Sequence, residues 1–113
     1  MMVKNVQWFL ENSKANTTFF NYSVRPVLYC NDGFKMSIQD SDGHYCIKGR
    51  SVEIGFPSVV ERLLEDYAEN PEKLLDTVYS HVPYSVVDKV LEKHGGIDLS
   101  MTKFVNSVKN SKD

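Results

Sequence analysis

Between Val27 and Phe56 the chain combines three tight reversals with a two-residue apolar alternation, a pattern that fits a pleated sheet and no helix. Asp32-Gly33 and Asp42-Gly43 read as two-residue hairpin turns, because glycine tolerates the positive φ that such turns need. Gly49-Arg50 supplies a third reversal. With these turns Val27 faces Ile38, Tyr29 faces Met36, Ile38 faces Ile47, Ile47 faces Val52 and Tyr45 faces Ile54. Residues directly opposite one another share a face. Val27, Tyr29, Phe34, Met36, Ile38, Tyr45, Ile47, Val52, Ile54 and Phe56 then form one apolar layer. A slip of one residue at any turn would send that strand's set to the opposite face. The expectation is a four-stranded antiparallel meander.

The same register places Leu28, Cys30, Lys35, Ser37, Gln39, Cys46, Lys48 and Glu53 on the outer face. Cys30 and Cys46 then stand two strands apart and roughly 15 Å from one another. A disulfide needs Cα atoms within about 7 Å, so the pair is not expected to be bridged.

Outside the sheet the apolar spacing turns helical. Val3, Val6, Phe9 and Leu10 predict a helix over 2–13, and Phe20, Tyr22 and Val24 alternate like a strand. Pro26 belongs at an edge or a bulge. "PSVVERLLEDYAEN" predicts a helix with Val59, Val60, Leu63, Leu64 and Tyr67 as its stripe. "DTVYSHV" reads as a fifth strand. Pro83 opens a further helix on Val86, Val87, Val90 and Leu91, which Gly95 ends. Met101, Phe104, Val105 and Val108 predict a last one. The whole is a single domain, 1–113, with a sheet over about 18–56 and a helical part over about 58–110. Its expected class is α+β: an antiparallel meander of four to five strands with helices packed on one face.

Charge excludes more than it suggests. The net charge of −2 gives no global pull toward nucleic acid or a membrane surface. No apolar run approaches a membrane span, and "MMVKNVQWFLENSK" has no signal-peptide core, so a cytoplasmic protein with reduced thiols is expected. Residues 51–76, however, hold two bases and seven acids. Glu61, Glu65 and Glu69 recur at i, i+4 along the expected helix, with Asp66, Glu72 and Asp76 beside them. Like charges at that spacing cost a few tenths of a kcal/mol each. A solvated face is one explanation; a docking surface for a basic partner is the other, and it nominates Glu61, Glu65, Asp66, Glu69 and Glu72.

The chemical candidates are thinner. Cys30, His44 and Cys46 lack the paired spacing of a structural zinc site and need a fourth ligand from His81 or His94. Asp40-x-Asp42-Gly43 lacks the later ligands of a calcium loop and reads as a turn. Neither a phosphate-binding glycine loop nor a nucleophile with its base stands out. His94, at a helix C-terminus, suits the dipole there. No catalytic residue, metal or cofactor is expected.

Several stretches together resemble a group of small proteins encoded by bacteriophages and prophage-like elements. They are Cys30-Asn31-Asp32-Gly33-Phe34, Met36-Ser37-Ile38-Gln39, Tyr45-Cys46, and Val52-Glu53-Ile54-Gly55-Phe56-Pro57-Ser58. Tyr67-Ala68-Glu69, Val78-Tyr79, Val82-Pro83 and His94-Gly95-Gly96-Ile97 continue the likeness, which covers about 27–97. That group often carries a longer insertion with Pro-Arg after the Tyr-Cys pair; here "CIKGRSVEIG" is tight. The resemblance implies an accessory protein acting on host machinery, of the kind that includes inhibitors of CRISPR and other defence systems.

The expected function is therefore non-enzymatic: occlusion of a host protein, most sharply a nucleic-acid-binding nuclease complex, through the acidic surface in the host cytoplasm. Direct nucleic-acid binding and a membrane are not expected; a homodimer is left open. Two alternatives stand beside it: a nucleic-acid-binding module using Lys35, Lys48 and Arg50 on the polar sheet face, and a small enzyme or metal protein.

Overall fold

The computed structural model describes residues 4–13, 17–19, 22–41 and 43–102. The last expected helix lies mostly outside them. Helix α1 spans Val6–Asn12; Asn5 caps it by accepting a hydrogen bond from the Trp8 N–H at 2.9 Å. A short antiparallel pair follows, β1 (Thr17–Phe19) and β2 (Tyr22–Val24). The main sheet is an antiparallel meander in chain order: β3 (Leu28–Tyr29), β4 (Lys35–Gln39), β5 (Ser51–Gly55) and β6 (Val78–Pro83). A 3-10 helix, Arg62–Tyr67, lies between β5 and β6, and α2, Tyr84–Lys93, follows β6. The fold is α+β. Val6, Phe9 and Leu10 of α1 and Val87, Val90 and Leu91 of α2 share one core with Leu28, Met36, Ile38, Val52, Ile54, Tyr79 and Val82 of the sheet.

The register of the first hairpin differs from the expected one by one residue. Leu28, not Tyr29, faces Met36. The loop has three residues, not two: the Gly33 N–H donates to the Cys30 carbonyl at 3.0 Å and the Cys30 N–H to the Phe34 carbonyl at 2.7 Å. Gly33 sits at φ 95°, the left-handed position of a three-residue turn with a glycine bulge. The extra residue swings Leu28 and Cys30 into the core and leaves Val27 exposed and Tyr29 half-buried.

The expected strand through Tyr45 and Ile47 is absent. Residues 44–48 are in no strand, and β4 pairs directly with β5, Ile38 against Ile54. β6 occupies the other edge of β5, so no edge remains for 44–48. Tyr45 and Ile47 are accordingly exposed. The connection is held by its backbone: the His81 N–H donates to the Tyr45 carbonyl at 3.0 Å, and the Tyr84 N–H to the Arg50 carbonyl at 3.2 Å. On β6 Val82 faces Val52 and Tyr79 faces Ile54, with an irregularity between them and His81 at φ 52°. This bulge lets Tyr79 and Val82, three residues apart, both point inward.

Two polar ties close the ends. Arg25 pairs with Asp40 at 2.9 Å and donates to the Leu10 and Ser13 carbonyls at the end of α1. At the other end of α1 the Val6 N–H donates to the Asp88 carboxylate of α2 at 2.8 Å.

Candidate partner-binding surface

Residues 56–61 run from the end of β5 to the 3-10 helix, so the helix expected from residue 58 does not form there. The Ser58 N–H donates to the Lys35 carbonyl at 2.9 Å, and the Ser58 hydroxyl accepts from the Lys35 N–H at 3.0 Å. That ties the chain to β4. Glu61 has extended backbone angles and caps the 3-10 helix by accepting from the Leu63 N–H at 2.8 Å. At the far end the Glu69 N–H donates to the Val78 carbonyl at 2.9 Å and Ala68 bridges Tyr79. The segment is thus pinned to the sheet at both ends. Only Leu64 of the expected stripe is fully buried; Val59, Val60 and Leu63 are exposed, and so is Phe56. The sequence put Phe56 in the core layer; it lies instead at φ 53°, 68% exposed.

The acids divide into two groups. Glu61 does not lie on the surface: it is 2% exposed. Its carboxylate takes the Lys93 ammonium at 2.9 Å and the His94 ring Nε2 at 2.6 Å. The other ring nitrogen, Nδ1, lies 2.6 Å from Asp32, and the ring stacks on Phe34 with centroids 4.1 Å apart. The ring thus lies between two carboxylates, with one nitrogen within hydrogen-bond distance of each. Burial pushes the Glu61 carboxyl up, but the Leu63 N–H, His94 and Lys93 together outweigh it, and the net shift is downward. Asp32 is held low first by the Phe34 N–H and then by His94.

Backbone contacts surround this network. The Asn31 N–H donates to the Gly96 carbonyl at 2.9 Å, the Asn31 amide to the Gly95 carbonyl at 2.7 Å, and Cys30 bridges Ile97. Two stretches singled out in the sequence, 30–34 and 94–97, are therefore the two halves of one junction.

Asp66, Glu69 and Glu72 are exposed and Glu65 is half-buried. Glu65 pairs with Arg62 at 3.0 Å, and Glu69 accepts the Ser80 hydroxyl. The nominated acids thus share neither one helix face nor one environment. Four remain exposed or half-buried, and Glu61 anchors the segment through Lys93 and His94. Sequence reasoning missed Lys93 and His94 as its partners, and Asp32 behind His94; the paired glycines after His94, at φ 85° and 87°, were the one visible sign of a close approach.

The other candidates fare as follows. Among the described residues no three of His, Cys, Asp or Glu are gathered so as to hold a metal ion. Neither cysteine is in a disulfide. Burial, helped by Asp32, pushes the Cys30 thiol up to about 12, so it stays protonated and unreactive. Lys35, Lys48 and Arg50 are exposed, Lys35 with its ammonium over the Tyr29 ring. The outer edge of β3 is covered by the Asp98 N–H and the Thr102 hydroxyl on Tyr29, and that of β6 by residues 68 and 69. No helix among the described residues is long and apolar enough to cross a membrane. No protein-family model, curated protein or solved structure matches the chain.

Proposed function

We propose that this is a small accessory protein that binds a basic host protein and blocks it by occupying its surface. The observation that carries the reading is the composition of one pinned segment. Residues 56–72 expose Phe56, Val59, Val60 and Leu63 together with Asp66, Glu69 and Glu72. Apolar side chains held in water on a segment whose exposed charges are mostly acidic, Arg62 apart, suit a surface that another molecule covers. A second copy would bring the same acids against themselves, so charge favours a cationic partner. With the outer edges of β3 and β6 partly covered, strand addition to the main sheet is a poor route to binding, and side-chain docking is the better one.

The likeness to small bacteriophage proteins supports a sharper form. The partner is then an RNA-guided defence nuclease in the host cytoplasm, whose basic channel for nucleic acid the acidic segment fills. The test adds the purified protein to a panel of guide-loaded nuclease complexes and measures their binding to target DNA. At least one complex should lose DNA binding. The D66K/E69K/E72K variant should inhibit it at least about tenfold less well, since the reversed charges repel the channel. A panel that ignores the protein, or a charge-reversed variant as potent as the parent, would sink the reading.

A further inference from the structure

We propose that Phe56 is the anchor of this interaction, its ring entering an apolar pocket on the partner whose rim carries lysine or arginine. The inference rests on the reading above and adds the residue that grips.

Its ground is a broken alternation. Val52 and Ile54 point into the core, so an uninterrupted strand would put Phe56 beside them. Instead the backbone takes φ 53° at Phe56 and turns the ring out, while Gly55 and Pro57 on either side stay buried. An aromatic residue rarely adopts this conformation, and a following proline pushes the residue before it toward extended angles. Glycine would be the ordinary occupant of such a position. The strained residue therefore brings the fold a large side chain that is two-thirds exposed. Strain maintained around an exposed group points to function rather than packing.

The excursion is also rigid. Before it, β5 is held by β6, with Gly55 opposite Val78; after it, Ser58 bonds Lys35 of β4 through its N–H and its hydroxyl. A backbone already held on both sides of the residue loses little freedom on docking, which favours affinity. Val59, Val60 and Leu63, exposed a few residues farther along, add apolar surface of the kind that flanks a central aromatic contact. Asp66, Glu69 and Glu72, farther along the segment, select a pocket with a basic rim.

The test compares F56G, F56L and the parent in two measurements: the urea midpoint of the isolated protein, and inhibition of the nuclease complex that responds to the parent. F56G should unfold at the same midpoint or a higher one, because it relieves the strain, yet inhibit at least about 30-fold less well. F56L should recover part of that loss. A clearly lower midpoint for F56G would make Phe56 a packing residue and overturn the proposal, as would undiminished inhibition by F56G. The two readings fail differently. If D66K/E69K/E72K keeps full potency while F56G loses it, the acidic contribution falls and the anchor stands. If F56G keeps potency while the charge-reversed variant loses it, the anchor falls.

Discussion

Val60 and Glu61 are neighbours in sequence, yet they belong to opposite kinds of surface. Val60, an apolar residue, is 40% exposed, and Glu61, a charged one, is 2% exposed. Glu61 is the buried centre of a junction in which exposed Asp32 and Lys93 and half-buried His94 hydrogen-bond with one another or with it. Among the described residues no buried side-chain nitrogen or oxygen lacks a hydrogen-bond partner. Residues 56–60 do the reverse: they expose what a core would bury, with one residue at a disfavoured backbone angle. The usual rule, apolar inside and charged outside, is inverted across one peptide bond. The lesson is that the junction gives the segment its shape while the segment presents the contact.

Substitutions should separate these roles. The largest effect falls on Glu61. E61L removes the helix cap and leaves Lys93 and His94 facing an apolar side chain, and it should lower stability by about 3 kcal/mol in urea unfolding. A loss below about 1 kcal/mol would mean that the charges reach water and the junction does not hold the segment. E61Q keeps the cap and the shape and should cost less.

H94L comes next. It leaves the buried Glu61 carboxylate without its ring hydrogen bond and removes the stack on Phe34, so stability should fall, by less than in E61L. Acid should reach the same network without mutation. Asp32 and Glu61 both titrate below their ordinary values. A carboxyl depressed in the folded state adds stability that is complete above its unfolded pKa, and that stability vanishes as pH falls through the folded one. The parent should therefore lose stability as pH drops below about 4, and D32N/E61Q should show a shallower fall. Parallel pH curves for the two proteins would remove these carboxyls from the account.

Glycine tests the close approach of the two halves of the junction. Gly95 sits at φ 85°, and a Cβ there would meet the Asn31 Cβ at 3.4 Å; Gly33 sits at φ 95° with nothing within 4 Å. G33A should cost about 1 kcal/mol from backbone strain alone, and G95A somewhat more, because Asn31 must also give way. Equal losses would show that the contact is soft.

The smallest effect belongs to the exposed segment. V59S should change stability by no more than about 0.5 kcal/mol, while weakening inhibition of the partner. A large loss of stability would make Val59 part of the core and erase the contrast between the two regions.

The sequence was most legible where a single element decides its own structure. Val87, Val90 and Leu91 at helical spacing, with Pro83 before them and a left-handed Gly95 after them, describe α2 as it stands. Val52 and Ile54 point inward as their alternation demands, and "VYSHV" is a strand. Legibility failed wherever two distant segments compete. At Asp32-Gly33 a two-residue and a three-residue loop suit the same letters; the docking of Asn31 on Gly95 and Gly96 accompanies the longer one. Tyr45 and Ile47 alternate like a strand, but β6 fills the edge they would need. Of the nominated acids, Glu61 could not be told from Glu65 or Glu69, because its partners lie 32 and 33 residues away.

The sequence by itself determined the class of the fold, the identity of its strong helix and the acidity of its middle segment. These follow from local spacing, turn chemistry and charge, which act within a few residues. Only the tertiary structure decided which acid is buried, which hairpin register holds and that Phe56 faces water. Each of those is a choice between locally similar options, made by hydrogen bonds and packing between residues far apart in the chain.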